Sequence, residues 1–245
     1  MSRAPADQPG ASEFTLPPLV RRTLAGGFAF GAQLRHGRLL HPTGVVLHAT
    51  LHPRGGRLSL PALGHRRQVV VRLSKGAGLP GAAPDVLGLA LRVPDAGGPG
   101  RPFDLLLSSC RLGVGVRHLP LPATDWSTPY GSLVPYRAGG ELRVLAALPA
   151  DPGRRIPASI AALREAVAQR PLEFVLAEAR LRGQWHPFAR LELIAAGDDD
   201  RGLRFDPGNA LPELHPVTVV NAVREAAYRG SRLGFPPGKG DKAER

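Results

Sequence analysis

From Gly44 onward the chain is cut into short apolar runs rich in Val and Leu, separated by clusters of Gly, Pro and Asp. The runs are Val45 to Leu51, Val69 to Leu73, Leu87 to Val93, Phe103 to Leu107, Leu142 to Leu148, Leu172 to Leu181 and Phe188 to Ile194. Apolar segments of this length between turn residues are strands, because Gly, Pro and Asp supply the backbone conformations that reverse a chain. Many short strands at such spacing predict an antiparallel sheet curled into a barrel, which leaves no edge open.

Helices are expected around that sheet, so the class is α+β, an antiparallel β-barrel with flanking N- and C-terminal helices. Leu19, Leu24, Phe28, Phe30 and Leu34 recur at loosely helical spacing after Pro17-Pro18, interrupted by Gly26 and Gly27. Ser159 to Gln169 reads as a helix with Ile160, Leu163 and Val167 on one face and Pro171 stopping it. A last helix is expected from about Pro216 to Arg232, with Val217, Val220, Val223, Ala227 and Ser231 as its packed stripe. Asp198, Asp199 and Asp200 read as a solvated turn rather than a metal site.

At 245 residues and 43% hydrophobic, the chain has enough apolar surface for one domain, expected over 16–234 between disordered tails at 1–15 and 235–245. No apolar run reaches signal-peptide or membrane-helix length, so secretion and membrane insertion are not expected. Cys110 is the only cysteine. Neither an intramolecular disulfide nor a Cys-built zinc site is available, and a cytoplasmic setting is the default.

A net charge of +12 suits an anionic partner. Its distribution argues against nucleic acid, since the arginines are scattered, the lysines are only Lys75, Lys239 and Lys242, and aromatic residues make up 5%. That is too sparse for a base-stacking platform.

Three separated pieces carry chemistry together. His41-Pro42-Thr43-Gly44 stands at the entrance to a strand. Val71-Arg72-Leu73-Ser74 is followed by Gly78 and then by Asp85-Val86-Leu87-Gly88-Leu89-Ala90. Arg224 and Tyr228 lie four apart on the last helix. Their order and intervals, with the Phe103-Asp104-Leu105-Leu106 strand and the closing Phe205-Asp206-Pro207 to Tyr228 stretch, resemble the catalase-like superfamily and its short minimal members from about Leu39 to Arg232.

The resemblance implies a haem b pocket and chemistry on hydrogen peroxide or an organic hydroperoxide. It places Tyr228 as the iron ligand, because a phenolate favours ferric iron, with Arg224 one turn earlier supplying the positive charge that keeps the phenol ionised. His41 would move a proton between the peroxide oxygens. Ser74 would orient the imidazole, and Arg72 and Arg232 would meet the haem propionates. The expectation requires an imidazole and a phenol across a porphyrin-sized cavity, with a barrel interior not already filled by side chains.

Departures temper the activity. Ser108 stands where haem catalases carry a distal asparagine, and a hydroxyl offers one donor where an amide offers two. Arg111 to Leu121 holds His118 as its only ring-bearing functional group, and Leu73 replaces the family's phenylalanine. Peroxidase-type turnover is therefore expected over efficient dismutation. One alternative is a catalase-fold protein without haem that binds a small ligand or partner. A phosphodiesterase-type hydrolase is a second, but no His-x-Asp or Asp-x-His cluster supports a two-metal site.

Overall fold

The computed structural model describes residues 41–58, 60–197 and 203–217. Among these residues eleven strands are formed: β1 (Thr43–Pro53), β2 (Arg67–Lys75), β3 (Asp85–Val93), β4 (Phe103–Ser109), β5 (Pro122–Ala123), β6 (Tyr130–Gly131), β7 (Tyr136–Ala138), β8 (Glu141–Pro149), β9 (Leu172–Arg180), β10 (His186–Ala196) and β11 (His215–Pro216). Eight of them close on themselves in the order β1, β2, β3, β4, β6, β8, β9, β10 and back to β1, every pairing antiparallel. The closure leaves none of the eight as an edge.

Each of the seven apolar runs read from the sequence falls on one of these long strands, the run from Leu172 overrunning β9 by one residue, Leu181. The eighth member, β6, has two residues and carries no alternation to detect. Along β1, Val45, Leu47, Ala49 and Leu51 are fully buried on one face; on the other face His48 is exposed, while Val46 and Thr50 are buried too. The same side of β2, β3 and β4 presents Val71 and Leu73, Leu87, Leu89 and Leu91, and Phe103, Leu105 and Leu107 to one core. Each fully buried aliphatic side chain of this kind contributes roughly 1.5–3 kcal/mol relative to exposure.

Helix α1 (Ile160–Gln169) begins where the Ser159 hydroxyl accepts from the Ala162 amide at 3.2 Å. Leu163 and Val167, one turn apart, join the barrel core, and the helix packs against β10 and β1. Arg170 adopts an extended backbone ahead of Pro171, which ends the helix. Among the described residues no helix is long and apolar enough to cross a membrane.

Two expectations change here. Pro216, read as the start of a helix, closes β11 and pairs with Tyr136. The barrel interior is filled, with Trp126, Tyr130 and Phe174 fully buried among its leucines, so no porphyrin-sized space lies inside it, the condition set from the sequence for a haem within the barrel is not met, and a flat cofactor would have to lie on the outer face. The reason is the period of a strand: leucines and valines occupy the inward positions, and polar residues between them must face out. The segments expected as N- and C-terminal helices and as the Asp198 to Asp200 turn lie outside the described residues, apart from Pro216 and Val217.

Candidate functional site

Register brings small residues from seven strands into one row. Gly44 of β1 pairs with Ser74 of β2, Ser74 with Gly88 of β3, Gly88 with Ser108 of β4, and Ser108 with Gly131 of β6; Ala146 and Ala177 continue the row on β8 and β9. Each alternates with a core residue on its strand, so the row lies on the outer face of the barrel. It is nevertheless buried: Ser74 and Ser108 are only 5% and 4% exposed. Beyond Ser108 it is closed off, because a Cβ on Gly131 would lie 2.8 Å from Cys110 Sγ and 2.9 Å from the Arg117 carbonyl oxygen.

His41 stands over this row. Its backbone lies in the left-handed region with φ of 63°, a conformation that histidine adopts more readily than most residues. Three groups hold it there. The His41 amide donates to the Gly76 carbonyl at 2.8 Å, Arg72 Nη2 donates to the His41 carbonyl at 3.1 Å, and His41 Nδ1 and Ser74 Oγ share a hydrogen bond of 2.9 Å. The ring rests on Gly88, where a Cβ would come within 2.7 Å of His41 Cε1 and 2.8 Å of Ser74 Oγ. Gly44 does the same for Arg72, whose guanidinium carbon would lie 2.8 Å from a Cβ at that position.

Burial, helped by the nearby Arg72 charge, pushes the His41 imidazole down to about 4, against smaller opposing pulls from Asp85 and the hydrogen bond to Ser74. At neutral pH the ring is uncharged and carries a lone pair. When Nδ1 donates to Ser74 Oγ, that lone pair sits on Nε2. The arrangement can take a proton from a small acid lying against the row and give it back.

His41, Arg72, Ser74 and Ser108 are therefore brought to one outer face, while Arg224, Tyr228 and Arg232 lie outside the described residues. Sequence reasoning did not assign Gly88 a role, although the Asp85-x-x-Gly88 spacing contained the signal. A cavity of about 1060 Å³ lies beyond the end of β4 between Ser109 to Gly113, Leu121 to Asp125 and Leu148 to Pro152, and none of His41, Arg72, Ser74 and Ser108 lines it. Among the described residues no three His, Cys, Asp or Glu side chains gather to hold a metal ion.

No protein-family model matches the chain, and no curated protein sequence matches it. Solved structures do. A bacterial catalase superposes with a TM-score of 0.59 at 14% identity, covering 94% of this chain and 63% of that one. The fold is catalase-like. A fungal catalase gives 0.55 at 11% identity, covering 94% and 66%, and catalase A from Saccharomyces cerevisiae gives 0.57 at 10%, covering 94% and 67%. The chain spans about two thirds of the length of these catalases, and at such identities the likeness establishes the catalase-like barrel alone.

The contact at Gly88 makes a direct prediction. A Gly88→Ala substitution would overpack the row at a cost of about 1–3 kcal/mol and turn the imidazole off its floor. The expected results are a lower melting temperature and displaced His41 ring resonances. Unchanged ring shifts would mean that the imidazole does not rest on Gly88.

Proposed function

We propose that this chain is a haem protein that reacts with hydrogen peroxide or an organic hydroperoxide, with peroxidase-type turnover. The observation that carries the reading is the neutral His41 imidazole, held by Ser74 over Gly88, on the outer face of a catalase-like barrel. The residues fit the group. With the barrel interior filled, the group would lie on the outer face, where from Gly44 to Ser108 the row has no side chain longer than serine beneath His41, and Arg72 brings a cation toward an anionic edge. Tyr228 would hold the iron, with Arg224 favouring its phenolate, and Arg232 would meet a second carboxylate.

Haem, when bound, would supply the redox chemistry of O–O cleavage. The protein supplies the proton path. His41 accepts the proton of one peroxide oxygen and returns it to the other, which leaves as water or an alcohol. With His41 Nδ1 donating to Ser74 Oγ, Nε2 is left free for this. Ser108, one strand beyond Gly88, offers a single hydroxyl to position the peroxide, which favours slower turnover with an external reductant over dismutation. A cytoplasmic setting suits a chain whose one cysteine is buried.

Expression with ample haem tests the reading. A red protein with a Soret band is expected, and Tyr228→Phe should lose the cofactor or alter that band. A colourless protein, or a Tyr228→Phe spectrum identical to that of the parent, would overturn the assignment. The colourless outcome would leave a catalase-fold binding protein in its place.

A further inference from the structure

We infer that Asp85 and Lys75 form a clasp that positions His41, shaping the loop of residues 76–84 into the platform on which the histidine backbone is pinned. The inference rests on the reading of His41 as the proton-moving group.

The loop connects β2 to β3, and buried polar groups at the adjoining strand ends hold it. Asp85 is 4% exposed and accepts from the Ala77 amide through Oδ1 at 2.9 Å and from the Leu79 amide through Oδ2 at 3.0 Å. Lys75 is 2% exposed and donates from Nζ to the Gly81 carbonyl at 2.8 Å and the Ala83 carbonyl at 3.4 Å. The Gly76 amide donates to the Val86 carbonyl at 2.7 Å. Two buried charges are thus spent on backbone groups of one nine-residue connection, and neither touches His41.

The loop in turn grips the histidine. Its Gly76 carbonyl accepts from the His41 amide, and Gly78, at φ of 71°, sits where a Cβ would be 2.8 Å from Pro42 Cγ. Of the three contacts on His41, those from Arg72 and Ser74 come from the sheet and the third comes from this loop. A left-handed histidine survives only while its surroundings over-determine it. Releasing the loop frees the segment at His41 and Pro42 and lets water reach the ring.

Why a carboxylate stands at residue 85 follows from its two amide donors. Each of its oxygens meets one N–H, whereas an amide side chain has one acceptor oxygen and turns an NH2 against the other. Asp85→Asn therefore keeps the shape and breaks the clasp. Asp85 is a positioning residue, since its hydrogen bonds act on His41 through the Gly76–Ala77 peptide, and its charge is only a smaller influence on the ring.

The test is an NMR titration of the His41 imidazole in full-length protein without haem, so the result is independent of whether the haem reading holds. The charged groups acting on the ring are Arg72 and Asp85, with burial the larger influence. In the parent the midpoint is expected near 4. Removing the Asp85 charge alone would lower it further, whereas opening the loop re-solvates the ring and raises it. The clasp predicts a rise toward the ordinary histidine value in Asp85→Asn, with lost exchange protection at the His41 amide. A midpoint at or below that of the parent in folded Asp85→Asn overturns the proposal. If that variant does not fold, Lys75→Met, which keeps the aliphatic stem, should raise the midpoint in the same direction, and an unmoved midpoint there overturns it equally.

Discussion

Replacing His41 by Ala is expected to slow the reaction of the haem-loaded protein with hydrogen peroxide by about 10²–10⁴-fold while leaving the Soret band in place, the usual contribution of a positioned acid and base. Alanine is strained at the positive φ of residue 41, so His41→Asn belongs beside it: asparagine tolerates the left-handed backbone but cannot take up the proton. Stopped-flow rates for both should fall together. Equal rates in parent and variants would remove His41 from the mechanism.

The pH dependence supplies an independent check. Because burial holds the His41 imidazole at about 4, the parent rate should stay level as pH falls through 6 and 5, then drop as the ring protonates. Stability carries the opposite bookkeeping of protons. An unfolded histidine titrates near 6.5, so between roughly pH 6.5 and 4 the unfolded state binds the extra proton. The contribution of His41 to the fold is therefore complete above the unfolded value and is eroded as pH falls toward the folded one. His41→Asn should remove that part of the acid sensitivity.

Much of the barrel was legible because half-buried strands write their register into the sequence. Val45, Leu47, Ala49 and Leu51 declare β1, and the other long strands follow suit. Tyr130 and Gly131 complete the closure through pairings with Ser108, Ser109, Ala146 and Ala147. That fact is tertiary, and nothing local encodes it. The side on which the site lies was present in the sequence but not drawn out. Leu73, Leu87, Leu89 and Leu107 are core residues, so Ser74, Gly88 and Ser108, one step away, had to face outward. Asp85 was visible only as part of a motif, because its partners are backbone amides that have no sequence signature.

Asp104→Ala is expected to destabilise the protein by about 3–5 kcal/mol, the usual consequence of removing one partner of a buried ion pair. For a domain of this size that is a fall of roughly 6–20 °C in melting temperature, read by calorimetry or circular dichroism. The Asp104 side chain is inaccessible to solvent and receives Arg92 Nε and Nη2 at 2.7 and 2.6 Å, the Asp206 amide at 2.9 Å and Asn209 Nδ2 at 2.8 Å. Arg92 also donates to the Arg204 carbonyl at 2.5 Å and lies over the Phe205 ring, 5.1 Å from its centre. Alanine would leave the guanidinium with its main partner gone and two donors of the 203–217 segment unmet. A shift below about 2 °C would mean that water replaces the carboxylate without loss. The segment docked here leads along the chain to Arg224 and Tyr228, so this variant should lose haem on gentle heating before the barrel melts. His41→Asn should instead keep its haem and lose its rate, and that contrast separates the group that moves a proton from the group that secures the chain bearing the phenol.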